Sequence, residues 1–255
     1  MIIAILQARV SSTRLPGKVL KPILGKPMLQ HQVERILKSK KIDKLVMATS
    51  NDSSDEAIYT LCKTIKIDCY RGSLDNVLDR FYWTAKRYNP TSIVRLTGDC
   101  PLIDPFFIDE LINFYMDENC DYASNCLEPT LPDGLDAEIF TFKALEKAWK
   151  EAELPSEREH VTPYINSNPD IFRVRSWKYK IDLSHMRWTV DEKEDFELVK
   201  KIYEQLYNTI PDFNTDDILN LLKKYQDLTQ INSMYIRNEG FLKSIELDKI
   251  QHDKI

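Results

Sequence analysis

An α/β fold with a mostly parallel sheet covered on both faces is what this chain predicts, on two observations. Strand-like apolar runs alternate with segments of helical period through the first half. The runs are almost continuously apolar, the signature of strands buried on both faces. A third observation limits the sheet: after about residue 120 the alternation loosens, as for a smaller α+β insertion that later returns to the main sheet. The 255 residues, 43% apolar and 29% charged, suffice for a sizeable core.

Residues 2–8, 44–49 and 92–97 read as buried strands, and 27–39, 53–66, 74–88 and 105–117 as the helices between them. Ser53 with Glu56 fits a capping box, and Asp104 before Pro105 fits an N-cap with proline at the first helical position. Farther on, short strands are expected near 136–140, 171–177 and 186–190. Helices are expected near 142–152, 157–167, 192–207 and 215–224. With no repeat or flexible linker, one domain spanning 1–255 is the simplest count. It divides into a half over about 1–120, a second region over about 121–227, and a polar tail over 228–255 that carries Tyr235 and Phe241.

Composition excludes several functions. The net charge is -5, so no global basic field invites nucleic acid. No apolar run reaches the roughly 18 residues of a membrane span. The opening Met-Ile-Ile-Ala-Ile-Leu lacks a secretion signal's basic start, and a cytoplasmic protein is expected. Five cysteines form no CxxC pair and four histidines show no ligand spacing, so any metal would use oxygen ligands. Neither GxxxxGK[ST] nor GxGxxG occurs, which disfavours P-loop and dinucleotide-binding folds.

The informative stretch is Gln7-Ala8-Arg9-Val10-Ser11-Ser12-Thr13-Arg14-Leu15-Pro16-Gly17-Lys18-Val19-Leu20-Lys21, directly after the first strand, where open α/β sheets place ligands. Arg9, Arg14, Lys18 and Lys21 concentrate positive charge there, and Pro16-Gly17 supplies a tight turn. In an acidic protein such a loop suits a triphosphate, arginine offering a planar donor fork and lysine a mobile charge. A merely solvated basic loop is the alternative.

The pattern Gln-Ala-Arg-x-x-Ser-x-Arg-Leu-Pro-Gly-Lys-x-Leu resembles the signature loop of the acylneuraminate and Kdo cytidylyltransferases, and most closely their spore-coat-polysaccharide branch. Supporting matches are Ser73-x-Asp75-Asn76-Val77-Leu78-Asp79-Arg80, Arg95-x-Thr97-Gly98-Asp99-Cys100-Pro101-Leu102-Ile103-Asp104, Asp133-Gly134-Leu135-Asp136-x-Glu138, Glu159-His160-Val161-Thr162-Pro163-Tyr164, Arg187-Trp188-Thr189-Val190-Asp191 and Asn238-Glu239-Gly240-Phe241.

That resemblance implies a Rossmann-like nucleotide-binding sheet of the nucleotide-diphospho-sugar transferase type, with a smaller substrate and dimer region. It implies attack of an acceptor oxygen on the α-phosphorus of CTP with Mg²⁺, releasing pyrophosphate. CTP, or another nucleoside triphosphate, and a small acidic acceptor would be the partners, and a homodimer the assembly. Arg14 and Lys18 would hold the triphosphate, Arg9, Ser12 and Lys21 would support them, and Gln7 and Ala8 would face the base through backbone groups. Asp99, after a buried strand, is the leading Mg²⁺ ligand, though an Asp in a Gly-Asp-x-Pro turn is often only a turn former. Asp191 is the second, and with Glu194 it equally makes a helix cap. Arg80 would reach the nucleotide or pair with Asp75 or Asp79; Arg95 suits a structural ion pair. His160, Arg187, Asp136 and Glu138 are candidates for acceptor binding; Asp136 and Glu138 share one face of a strand. Set against this are a glycosyltransferase, whose Asp-x-Asp motif is missing at Asp99-Cys100-Pro101, and a nucleotide-binding protein without turnover.

Overall fold

The computed structural model describes residues 1–237 together with Ser244 and Asp248. The Asn238-Glu239-Gly240-Phe241 match lies outside the described residues.

The first half builds the parallel sheet. Strand β1 (Ile2–Gln7) leads through a long loop and a one-turn 3-10 segment at Lys18–Leu20 to a small hairpin, β2 (Pro22–Ile23) and β3 (Lys26–Pro27). Helix α1 (Met28–Ile36), β4 (Lys44–Ser50), α2 (Glu56–Thr64), β5 (Asp68–Gly72), α3 (Val77–Lys86) and β6 (Ser92–Thr97) follow. Strand β1 lies between β4 and β6, parallel to both, and β5 extends the sheet beyond β4. Alternation along β1 sends Ala4 and Leu6 into one apolar cluster and Ile3 and Ile5 into the other, so both faces are covered.

Helix α4 (Pro105–Glu118) then leads into β7 (Tyr122–Ser124) and β8 (Glu138–Thr141). Strand β8 pairs antiparallel with both β6 and β7. Helices α5 (Phe142–Glu151), α6 (Pro155–His160) and α7 (Pro163–Asn166) precede the edge strand β9 (Val174–Ser176). Helices α8 (Lys193–Leu206) and α9 (Thr215–Lys224) follow, and then a 3-10 turn at Gln226–Gln230. The seven strands run in the order β5-β4-β1-β6-β8-β7-β9, parallel at the core with β8 antiparallel inside it. No described helix is long and apolar enough to cross a membrane.

Several expectations are corrected. The helix expected over 53–66 begins as a 3-10 turn at Ser53–Asp55, and its cap is Asp52, which accepts from Ser54 N; Ser53 makes no such cap. The helix expected over 157–167 is two helices: Val161 adopts φ 75° and Pro163 opens the second. The strand expected at 186–190 reduces to a single bridge between Arg187 and Asp133. Strand β5 was not expected, because Asp68-Cys69-Tyr70-Arg71-Gly72 is half-exposed and shows no alternation. The Asp104 cap is as expected, accepting from Phe106 N at 3.0 Å with Pro105 at the first position.

Candidate active site

The carboxyl ends of β1 and β6 open into a cleft of about 980 Å³. Its first wall is the loop after β1. Gly98 N donates to Gln7 O at 2.8 Å and Ala8 N to Ala48 O at 3.2 Å, so these two backbone groups serve the sheet rather than a base. Gln7 and Ala8 still line the cleft. Gly98 must be small: a Cβ there would sit 2.9 Å from Ala8 Cβ and 3.0 Å from Gln7 O. The loop entry is pinned by a residue that motif reading missed. Buried Asp55 accepts from Val10 N at 2.7 Å and Ser50 N at 3.0 Å. Gly17, at φ 70°, supplies the left-handed turn that delivers Lys18.

Lys18 is buried, and its ammonium is the centre of the site. It donates to Val190 O at 2.6 Å and Asp191 Oδ1 at 2.8 Å, and lies 3.6 Å from Asp99 Oδ2. Burial works against its charge, but the two carboxylates outweigh that and raise its pKa. Arg14 reaches the same Asp191 Oδ1 at 2.8 Å and Glu192 at 3.4 Å. Burial would raise the Asp191 pKa, yet Lys18, Arg14 and Arg187 together hold it below the usual carboxylate range. Asp99 is brought to this point by the backbone: its carbonyl accepts from Val190 N at 2.8 Å, and Thr97 Oγ1 donates to its Oδ1 at 2.5 Å.

Asp191 is not the cap of α8. Glu192 occupies the N-cap, and buried Asp195 takes the back-bonds, from Glu192 N at 2.9 Å and Asp191 N at 3.0 Å. The carboxylate of Asp191 is thereby left facing the cleft. Among the described residues no group of three or more His, Cys, Asp or Glu side chains is arranged to hold a metal alone. Two convergent carboxylates nonetheless fit Mg²⁺, which binds through one or two carboxylates and completes its shell with substrate phosphates and water.

Other expected residues divide. Arg9 and Ser12 line the cleft, whereas Lys21 does not: its ammonium sits over the Phe196 ring, 5.7 Å from the centroid. Arg80 lines it too and is 1% exposed. It pairs with neither Asp75 nor Asp79; Nη1 donates to Ser73 O at 2.8 Å, and its buried Nε has no partner. Burial and the charge of Arg9 lower its pKa to about 10. A buried cation beside Arg9, opposed in charge by Asp55 and bonded through Nη1 to a carbonyl, is suited to an anionic or carbonyl-rich ligand.

At the far end, Glu138 and Asp136 both line the cleft. Glu138 already accepts from Arg95, from Tyr122 OH at 2.6 Å and from Thr162 Oγ1 at 2.6 Å. Arg95 thus makes the structural ion pair expected of it, with Glu138. His160 lines the cleft with Nε2 at 2.9 Å from Ser244 Oγ, and burial lowers its pKa. Arg187 is a correction. It is absent from the cleft wall, and its fork is spent on Asp133 at 2.9 Å, Asp195 at 2.8 Å and Asp191 at 3.4 Å. These pairs tie Asp133, Asp195 and Asp191 to one guanidinium. Asp133, unremarked singly in the sequence, lines the cleft, and burial together with the charge of Asp136 pushes its pKa up to about 7.

A deep cleft at the ends of parallel strands, walled by a basic loop facing two carboxylates, is the site of a nucleotidyltransferase. The cytidylyltransferase family profile matches residues 3–245, and the chain belongs to that family. It is 40% identical over 236 residues to an uncharacterised protein of Methanocaldococcus jannaschii, covering 91% of this chain and 94% of that one. It is 34% identical over 233 residues to the spore coat polysaccharide biosynthesis protein SpsF of Bacillus subtilis, covering 89% and 95%. A solved cytidylyltransferase from Leptospira borgpetersenii superposes with a TM-score of 0.86 at 33% identity, covering 92% of this chain and 99% of that one.

Proposed function

We propose that this cytidylyltransferase couples CTP, with Mg²⁺, to a small sugar-type acid used in surface polysaccharide or glycoconjugate synthesis, in the cytoplasm and as a homodimer. The observation that carries this reading is the meeting of Lys18 and Arg14 with Asp99 and Asp191 at the mouth of β1 and β6. The relationship to SpsF supports the pathway class.

In the reaction an acceptor hydroxyl gives up its proton to solvent and its oxygen forms a bond to the α-phosphorus as the bond to the bridging α–β oxygen breaks. The departing electron pair stays on pyrophosphate. Lys18 and Arg14 neutralise the triphosphate and the growing charge of the leaving group, the dominant contribution in phosphoryl-type transfer. Arg9 and Arg80 orient the nucleoside end. Asp99 and Asp191 would hold Mg²⁺, which when bound supplies charge neutralisation across the phosphate oxygens. Asp136 and His160 offer hydrogen-bonding groups to the acceptor's hydroxyls. The glycosyltransferase reading gains nothing from the geometry, since Pro101 stands where its second carboxylate belongs.

The test is pyrophosphate release with Mg²⁺, running CTP, UTP, GTP and ATP against Kdo-like and nonulosonic acids, sugar phosphates and small phosphorylated acids. Acceptor-dependent release with CTP is expected. Release that ignores the acceptor, or none with a folded protein, would overturn the reading. Sedimentation of the purified chain separates dimer from monomer.

A further inference from the structure

We propose that Arg237, from the segment after α9, is a positioning residue of the acceptor site, acting by holding Asp136 against the cleft. The inference rests on the reading of the wall from Asp133 to Glu138 as the place where the acceptor binds.

Asp136 lines the cleft beside Glu138 and Asp133, and its ion-pair partner is Arg237. Glu138 is taken by Arg95, Tyr122 and Thr162, and Asp133 by Arg187. Asp136 has Arg237 Nη2, while Arg237 Nη1 donates to Leu131 O at 3.0 Å. One planar fork therefore spans both ends of the 131–136 loop, a geometry lysine cannot reproduce. Arg237 Nε is buried with no partner, so local hydrogen bonding alone does not account for where the side chain lies. Burial raises the Asp136 pKa and the charges of Asp99 and Glu138 add to this; Arg237 is the opposing charge.

The backbone around Arg237 is fastened on its other side. Asn232 Nδ2 donates to Asp195 at 2.8 Å, Tyr235 OH to Glu194 at 2.9 Å, and Arg187 Nη1 to Ile236 O at 3.2 Å. The segment thus straps the loop bearing Asp136 to the stretch bearing Asp191. Acceptor wall and metal-side carboxylate are set relative to each other by residues about a hundred positions apart.

The experiment uses the full chain with Mg²⁺ and CTP, and as probe acceptors 3-deoxy-manno-octulosonate, N-acetylneuraminate and N-acetylglucosamine 1-phosphate. Arg237→Met is expected to raise the acceptor KM at least tenfold, to change kcat less than threefold, and to leave the Kd of CTP within twofold. Arg237→Lys should recover part of the loss. Tyr235→Phe, which removes one fastening of the strap but neither contact of the Arg237 fork, should raise KM far less than Arg237→Met does. Asp136→Asn with Arg237→Met should be no worse than Asp136→Asn alone. An unchanged acceptor KM in Arg237→Met, an equal rise in Tyr235→Phe, additive losses in the double variant, or a parallel loss of CTP affinity would each overturn the inference while leaving the transferase intact. Silence of the wild-type chain with every acceptor would instead overturn the transferase reading, and this inference with it.

Discussion

Replacing Asp191 by asparagine should make CTP bind more tightly when no metal is present, and abolish most of the gain that Mg²⁺ brings. Asp191 Oδ1 holds Lys18 and Arg14, each at 2.8 Å. A metal-free triphosphate recruits those cations only by drawing them from that carboxylate. The Lys18 contact is charge-assisted and largely buried, so its loss is of the order of 1.5–3 kcal/mol. The Arg14 pair is about one-third exposed, and solvent leaves it roughly 0.5 kcal/mol. Relieving the competition should gain about 2 kcal/mol, or about 30-fold in Kd. Titration calorimetry in EDTA and then in Mg²⁺ reads both effects. The same change should lower Tm by roughly 4–8 °C, because Lys18 keeps only Val190 O and Asp99 nearby. Metal-free CTP binding no tighter than wild type, with an undiminished Mg²⁺ enhancement, would refute the reasoning.

Three further outcomes follow from the same contacts. Lys18→Met should cut the rate of pyrophosphate release by about 10²–10³-fold, the loss typical of a donor aimed at developing charge; a smaller effect than Arg14→Ala would reverse the ranking given by burial. Gly134→Ala should be destabilising by roughly 3 kcal/mol or more, because Gly134 has φ +108° and an added Cβ would meet Thr189 N and, at 2.5 Å, Trp188 C; a melt within 2 °C of wild type would contradict this. On pH, the depressed Asp191 pKa means its contribution is present above the unfolded value near ~3.9 and lost as pH falls through the folded value. Raised Lys18 contributes below the unfolded value near ~10.4 and loses that contribution as pH climbs through the folded one. Their joint contribution to stability should therefore be flat from about pH 5 to 9, and the acid-side loss should shrink in Asp191→Asn, as thermal melts against pH would register.

The central strands were legible because burial on both faces leaves continuous apolar runs, as in Ile3–Leu6 and Leu45–Ala48. The basic loop was legible because four cations in one short stretch of an acidic chain have few other uses. Lys21 is placed apart from the other three: composition assigns a charge to the loop, but only folding shows that its ammonium lies over Phe196. The double reading of Asp191 could not be resolved from spacing, since Asp191, Glu192 and Asp195 all have cap-like positions; the backbone chose Glu192 and Asp195. Arg187, Arg237 and Asp55 owe their roles to partners far along the chain, Asp133, Asp136 and Val10, and no local pattern announces such pairs. Short strands such as β7 carry too few residues for a period to be seen.

The most direct test follows the label from CTP. With Mg²⁺ and an acceptor that supports pyrophosphate release, α-³²P should move into a CMP–acceptor conjugate while γ-³²P leaves entirely as pyrophosphate. Asp99→Asn and Lys18→Met should suppress both in parallel. Label from the α-phosphate recovered only in free CMP, or γ-label found on the acceptor, would contradict a cytidylyl transfer at this cleft.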